Sequence, residues 1–466
     1  MRCEACSSSS LCARYAPVST TAPSRSSLKR RPFFFYFFNR YFFNCEPSIS
    51  CSTNRPTDSS SSSSSLSTSS YSRRWYNPLR RRQLDETPDI ERHWVEADQP
   101  PLASQERFTV ASYNILADRN ASWHKDLYSN VPYSYMNWDR RKRLICKELI
   151  GWNPDIICLQ EVDKYFDLSD MLATAGYLGS YKRRTGGSVD GCAMFWKADK
   201  FRLLEGESIE FKSFGLGDNV AQLSVFEIWA TMANRQMCNA ASRRLLIGNI
   251  HVLYNPRRGH VKLGQIRSLF SRAQNLSEKW GNAPAVLAGD FNSTPQSAIY
   301  KFLSSSELNV MLYDRRELSG QRSCHPAQVL GLKQQFSSPL KLIDGLLKDC
   351  WTDEEIKVAT GKTTCNIAVH PLKLNSSYAT VRGSLGTRGS NGEPLATSYH
   401  SKFLGTVDYL WHSDCLVPTK VLDTISIDVL QRTGGLPCKG IGSDHLALVS
   451  EFAFTTPTNV GINATT

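Results

Sequence analysis

The stretch Val286–Pro295, V-L-A-G-D-F-N-S-T-P, constrains this chain more than any other. An apolar run from Ala285 to Ala288 ends in Gly289, and Asp290 and Asn292 follow two apart. Apolar residues running into glycine and a carboxylate describe a buried strand that delivers polar groups to its carboxyl edge. Residues i and i+2 on extended backbone point the same way, so Asp290 and Asn292 can address one ligand. The competing reading is an Asp-Asn turn with Ser293-Thr294-Pro295 opening a helix. The company this stretch keeps decides between the two.

From about Phe108 onward, strand patterns alternate with helix patterns. Phe108 to Leu116 reads as a strand with Asn114 near its far end. Trp138 to Trp152 reads as a helix, with Ile145, Leu149 and Trp152 on one face and Arg140, Arg141, Lys142 and Arg143 off it. Asn153-Pro154 stops it. Asp155 to Leu159 is then a buried strand that ends in Gln160-Glu161. A carboxylate placed there is costly unless a cation pairs with it, or unless the strand end reaches solvent. A short helix near Leu168–Ala175 and a basic loop, Tyr181 to Gly187, come next. Val189 to Trp196 reads as turn then strand, and Asp218 to Leu223 enters another. Leu245 to Tyr254 is a strand carrying His251, which alone reads as a hydrogen-bonded core histidine. Gly259 to Trp280 is an amphipathic helix, and a further helix is expected from Gln296 to Ser304.

Residues 317–401 are irregular and read as a surface insertion, with a mobile Gly383–Gly392 loop and a small helix at Thr352–Lys357. Pattern resumes at Phe403 to Trp411, a strand with Asp408 in its middle. The final strand, Leu446 to Phe454, follows Ser443-Asp444-His445. No internal repeat is visible, and in particular no leucine-rich array.

The amino-terminal leader, residues 1–100, is different in kind. Residues 1–84 hold 13 Lys/Arg against 3 Asp/Glu, nearly all of the chain's net charge of +12. The basic excess therefore belongs to the leader and does not describe a basic catalytic face. Its serine runs, Ser7–Ser10 and Ser59–Ser65, bury too little apolar surface to order it. It reads as an organelle transit segment or a plain disordered tail. The aromatic patch Phe33–Phe38 is far too short to span a membrane. Of 14 cysteines, Cys3 and Cys6 have half a zinc spacing without a second pair, and Cys158 and Cys192 lie in apolar runs as buried thiols. A body at 105–455 and a tail at 456–466 complete the organisation.

Glu161, His251, Asp290, Asn292, Asp408, Asp444 and His445 all sit at strand ends or inside apolar runs, the wrong place for solvated charge. Brought together they supply the parts for metal-assisted phosphodiester hydrolysis. Oxygen ligands suit Mg²⁺; a base would activate water, and a histidine held by a carboxylate would donate to a phosphate oxygen.

Leu159-Gln160-Glu161, Gly289 to Pro295, Val407-Asp408-Tyr409 and Ser443-Asp444-His445 occur in the order seen in the endonuclease/exonuclease/phosphatase superfamily. Tyr113 to Leu116, Val189 to Ala193, Asp218 to Ala221 and Asn249-Ile250-His251 resemble its deadenylase branch, the carbon catabolite repressor protein 4 homologs, in a plant form without the repeat domain. The resemblance implies a DNase I-like α/β (α+β) fold, a four-layer sandwich of two mixed β-sheets flanked by helices. It implies Glu161 as the main ligand of Mg²⁺ (or Mn²⁺), Asn114 beside it, and Asp444 near a second metal position. Asp290 would activate the attacking water, with Asn292 on the phosphate. His445, oriented by Asp408, would contact the phosphate, and His251 would hydrogen-bond in the same pocket. Asn219 would lie in the substrate groove, and Pro256 and Phe403 would clamp an adenine.

The activity so implied is a 3′-to-5′ exoribonuclease that shortens the poly(A) tail of mRNA and releases 5′-AMP. It is placed in the nucleus and cytoplasm by resemblance, or in a chloroplast or mitochondrion if the leader is a transit segment. The resemblance implies a deadenylase complex as partner, whose members carry leucine-rich repeats that are not visible in this sequence. Two other readings stand beside it: a phosphodiesterase or phosphatase on 2′,5′-oligoadenylate or a small nucleotide, and an inactive RNA-binding scaffold whose basic leader holds RNA by charge.

Overall fold

In the computed structural model of the chain, the described residues are 90–98, 105–229, 243–331 and 351–455. The transit-segment reading, the Cys3–Cys6 pair and the 456–466 tail lie outside them. Two sheets organise the body. The first has seven strands in the spatial order Trp94–Glu96, Leu416–Leu422, Leu448–Phe454, Arg107–Asn114, Ile156–Gln160, Gly191–Lys197 and Tyr177–Arg183. The second has six: Leu374–Ser376, Asp408–Ser413, Ala285–Asp290, Arg244–His251, Val220–Ile228 and Phe201–Glu210.

Neighbouring strands are antiparallel with one exception in each sheet. Arg107–Asn114 runs parallel to Ile156–Gln160, and Arg244–His251 runs parallel to Ala285–Asp290. Parallel neighbours need a crossover, and each pair has a helix in its crossover, Trp138–Trp152 in the first sheet and Gly259–Lys279 in the second. The first helix starts on Asn137, whose side chain accepts from the Arg140 N–H, and ends at Asn153 in the left-handed conformation just before Pro154.

The period of two decides what each strand shows to each side. Phe108, Val110, Ile156, Cys158, Leu245, Ile247, Val286 and Ala288 fill the space between the sheets. The alternate residues Ala111, Tyr113, Ile157 and Leu159 pack outward on Ile145, Cys146 and Leu149. On the other side Leu246, Ile250 and Leu287 pack on Ile266, Leu269, Phe270 and Ala273. The layers are helix, sheet, sheet, helix. Truncating any of these fully buried aliphatic side chains to alanine costs about 2–5 kcal/mol.

At the carboxyl ends of the four parallel strands the inward residues turn polar: Ser112 and Asn114, Gln160, Asn249 and His251, and Asp290, all buried. The inter-sheet core thus ends in a polar floor. Gln160 Nε2 donates to Asn249 Oδ1 at 2.8 Å, and Asn249 Nδ2 donates to Ala193 O at 2.9 Å, tying the two sheets together beneath the site.

Three expectations need correction. The body begins before residue 100: Trp94–Glu96 pairs with Leu416–Leu422, and Arg92 donates to the carbonyls of Asp423 and Ala447. A three-residue strand is too short for periodicity to register. Residues 317–401 are more than a surface insertion. Leu374–Ser376 forms the edge of the second sheet, Tyr378 donates to Leu422 O, Arg388 pairs with Asp423 at 2.5 Å, and Glu393 is buried. Its ladder strands are only three residues long and side-chain bonds hold much of the rest, so no periodic pattern marks it. Asp408 opens its strand instead of sitting mid-strand, because the chain breaks between Phe403–Gly405 and Asp408–Ser413.

Candidate active site

Asn114 joins the two sheets' contributions. Its Nδ2 donates to Asp290 Oδ2 at 3.1 Å and to Glu161 Oε1 at 3.3 Å, while its Oδ1 accepts from the Leu116 N–H. Glu161 also accepts from the Ala117 N–H at 3.1 Å and from Asn120 Nδ2 at 2.8 Å. Three N–H donors therefore fix this carboxylate where the strand Ile156–Gln160 ends. Leu116, Glu161 and Asn292 all have left-handed backbone, with φ of 57°, 57° and 48°. Such conformations are unfavourable for side-chain-bearing residues, and their clustering where strands turn into a pocket is how functional sites aim their groups.

Asp290 is 2% exposed. Its Oδ1 accepts from the Asn292 N–H at 2.8 Å, and its Oδ2 lies 3.6 Å from His251 Nε2 and 4.0 Å from His445 Nε2. The two histidines differ in charge. Burial, followed by the nearby Arg184, pushes His251 down to about 3, so it is neutral. Burial alone would lower His445 as well, but the Asp408 carboxylate bonded to it outweighs burial and holds it well above the ordinary histidine range. Burial, and then the neighbouring Asp408, raise the Asp290 carboxyl above its usual range. Asp408 Oδ2 lies 2.8 Å from His445 Nδ1 and accepts from Thr397 Oγ1 at 2.6 Å.

These groups border a cavity of about 420 Å³, within the size range of small-ligand sites. Glu161, Asn219, His251, Asp290, Asn292, Phe403, Asp444 and His445 line it. Asn114 and Asp408 are buried behind the lining and act through Asp290, Glu161 and His445. Asn219 donates from Nδ2 to His251 O at 2.9 Å, which places the groove residue against the neutral histidine. Asn292 donates to Val252 O and accepts from Gln321, so its amide plane is set and one amide hydrogen stays free for the cavity. Asp444 accepts from the Tyr128 hydroxyl at 2.9 Å. Pro256, the other half of the expected clamp, is half-buried on the loop after His251 and is not among the lining residues, whereas its neighbour Tyr254 is.

Sequence reasoning missed several contributors. Asn120, Tyr128, Thr397 and Gln321 sit in irregular or short segments with no periodic signal. Arg141 is the sharpest miss, expected off the buried face yet 0% exposed. Its guanidinium donates to the carbonyls of Ile115, Leu116 and Met136, and binds the turn after Asn114 to the helix that follows.

The donor set fits a hard divalent cation. Glu161 and Asp444 offer carboxylate oxygens on the lining, Asn114 orients Glu161 from behind, and Mg²⁺ keeps several waters and needs few protein ligands. Ligand atoms of Asp290, Asp408 and His445 also lie within 4.8 Å of one another. That trio is better read as a hydrogen-bonded dyad beside a carboxylate, since the Asp408 oxygen nearest His445 already accepts two bonds.

Two sheets whose strand ends bring carboxylates, amides and a histidine–aspartate dyad to one pocket describe a phosphoester hydrolase of the sandwich type. The chain belongs to the endonuclease/exonuclease/phosphatase family, whose model matches residues 111–445, and within it to the branch of carbon catabolite repressor protein 4. It is 60% identical to carbon catabolite repressor protein 4 homolog 3 of Arabidopsis thaliana, over 87% of this chain and 89% of the relative. Homolog 5 of the same plant is 48% identical over 80% and 84%. Among solved structures, ANGEL2, a 2′,3′-cyclic phosphatase crystallised with adenosine-2′,3′-vanadate, superposes with a TM-score of 0.62 at 28% identity, covering 78% of this chain and 99% of that one. Enzymes of this family generally depend on a divalent metal and hydrolyse phosphodiesters or phosphate esters. Among the described residues no helix is long and apolar enough to cross a membrane.

Proposed function

We propose that this chain is a Mg²⁺-dependent 3′-to-5′ exoribonuclease that removes adenylates from the 3′ end of mRNA as 5′-AMP. The observation that carries the reading is the Asn114 amide bridging Asp290 and Glu161, which sets a candidate base and a candidate metal ligand on two sides of one fixed group. Asp290, raised toward neutrality by burial, takes the proton from the attacking water. His445, kept cationic by Asp408, donates from Nε2 to a non-bridging phosphate oxygen, and the free amide hydrogen of Asn292 reaches another. Glu161, ordered by Asn114, would hold the divalent ion, with Asp444 near a second metal position; when bound, the metal neutralises charge on the phosphate and leaving oxygen. Phe403 offers a ring for base stacking, a contact tolerant of base identity. The relatives named for carbon catabolite repressor protein 4 favour a nucleic-acid substrate.

A second reading has its own support. The likeness to ANGEL2 favours hydrolysis of a 2′,3′-cyclic phosphate at an RNA end by the same groups. One assay separates the two. The purified chain with Mg²⁺ is incubated with a 5′-labelled RNA ending in a run of A, with a non-A control, a 2′,5′-adenylate and an RNA bearing a terminal 2′,3′-cyclic phosphate. Stepwise loss of the A run, abolished by EDTA and in Asp290→Ala, is the expected result. Opening of the cyclic end alone would replace the first reading with the second.

A further inference from the structure

We propose that Arg184 forms an anion subsite in the catalytic pocket for a second phosphate of the substrate, the one next to the scissile ester in a nucleotide chain. The inference rests on the proposed function and narrows it to substrates with at least two consecutive phosphodiesters.

The basic loop does not act as one patch. Lys182 is ion-paired with Glu210, and Arg183 donates to Ser188 O. Arg184 alone of the three lines the cavity. Its Nη1 lies 3.5 Å from Asp190 Oδ2, too far for a good hydrogen bond, and both Arg184 Nε and Asp190 Oδ2 are buried without a hydrogen-bond partner. The Arg184 side chain keeps 22% of its surface exposed, and that exposed part, not the enclosed Nε, is what a ligand in the cavity can meet. A guanidinium presents a planar fork of N–H groups that matches a phosphate.

Its place in the fold separates it from the reacting phosphate. Glu161 follows the strand Ile156–Gln160, whereas Arg184 follows Tyr177–Arg183, two strands further toward the edge. Two strand spacings are on the order of 10 Å between backbones, and the acid that Arg184 meets is Asp190, not Glu161 or Asp290. Arg184 lies on the side of His251 and Asn219, since the adjoining Thr185 N–H donates to Asp218 O. The cavity's acids, Asp126, Glu161, Asp290 and Asp444, would repel a second phosphate unless a cation met it there. Lys402, the other Lys or Arg on the lining, is already paired with Asp126 at 2.5 Å, and His445 is held by Asp408.

The test compares wild type, Arg184→Gln, Arg184→Lys and Asp190→Asn in Mg²⁺ on two substrates: the dinucleotide ApA, with one phosphodiester, and hexa-adenylate. Arg184→Gln should lower kcat/KM on the hexamer roughly 10-fold or more and leave ApA within about twofold, with Arg184→Lys between. Equal loss on both substrates, or loss on neither, overturns the subsite. Binding of labelled hexa-adenylate in EDTA gives a readout independent of cleavage: the slope of log Kd against log salt should fall by about 0.7 in Arg184→Gln. An inert wild type on both substrates, with this slope change intact, rejects the exonuclease reading and keeps the subsite. Asp190→Asn should bind the hexamer at least as tightly as wild type, with thermal midpoints unchanged in both variants. Weakened binding in Asp190→Asn matching that of Arg184→Gln would make the pair a loop clamp and sink the proposal.

Discussion

Nδ1 of His445 lies 2.8 Å from Oδ2 of Asp408, and the same oxygen accepts from Thr397 Oγ1 at 2.6 Å. The dyad is thus held from a third direction by a residue of the irregular 317–401 segment. Asp408 counteracts burial and keeps His445 cationic. In Asp408→Asn burial is unopposed by that charge, the histidine's pKa falls, and the donor is lost as pH rises. The variant should lose about 10²–10³ in kcat at pH 8 and recover part of it toward pH 6. A pH–rate profile checks this; a uniform loss at every pH would mean that Asp408 only orients the ring.

Glu161→Gln keeps the shape and the bond to Asn114 but removes the charge that would meet a cation. The Mg²⁺ titration of activity should move to higher concentration, with the rate partly restored at high Mg²⁺. A rate insensitive to Mg²⁺ and to EDTA in the wild type would remove Glu161 from this role.

Arg141→Met leaves the carbonyls of Ile115, Leu116 and Met136 without their buried donor. A loss of about 3 kcal/mol in unfolding free energy is expected, together with a fall in activity below the unfolding transition, because the turn after Asn114 loosens. Denaturant unfolding and rates at low temperature measure the two separately.

Gly289 sits at φ +151°, and a Cβ there would lie 2.0 Å from Ile250 O on the parallel partner strand. No side chain fits. Gly289→Ala should destabilise by several kcal/mol, roughly 3 or more, and displace Asp290; normal folding with full activity would contradict the strand pairing.

Glu393 is 1% exposed and accepts from the Tyr300 hydroxyl at 2.9 Å. Burial pushes its carboxyl up to about 7. A folded-state pKa above the unfolded one means that the stability linked to the bound proton is present below about pH 4.5 and lost as pH rises through 7. Glu393→Gln should therefore gain stability at pH 8.5 relative to pH 5.5, on the order of 2–3 kcal/mol. Thermal melts at the two pH values test it; an unchanged difference would show that the ionised carboxylate is well solvated.

Much of the fold was legible because buried strands and amphipathic helices write their period into the chain. The strand ending at Asp290 and the helix Gly259–Lys279 show it plainly, and the four-layer sandwich follows from the pattern and the family resemblance. What periodicity could not register was short or irregular. Trp94–Glu96 is three residues long, and the backbone around Tyr378, Arg388 and Glu393 is held by side chains. Arg141 was misplaced because charge predicts exposure until enough carbonyls converge on it.

By itself the sequence determined which groups stand at strand ends, since an apolar run meeting Asp290, Glu161 or His251 is a local fact of composition and period. Only the tertiary structure decided that Asn114 bridges Asp290 and Glu161, that His251 and His445 flank one carboxylate with their pKa values shifted in opposite directions, and that Arg184 alone of its basic run lines the pocket. Such relations depend on which strands become neighbours and on how deeply each group is buried. Both are properties of the packed sheets and of the dielectric they create, and no local pattern encodes them.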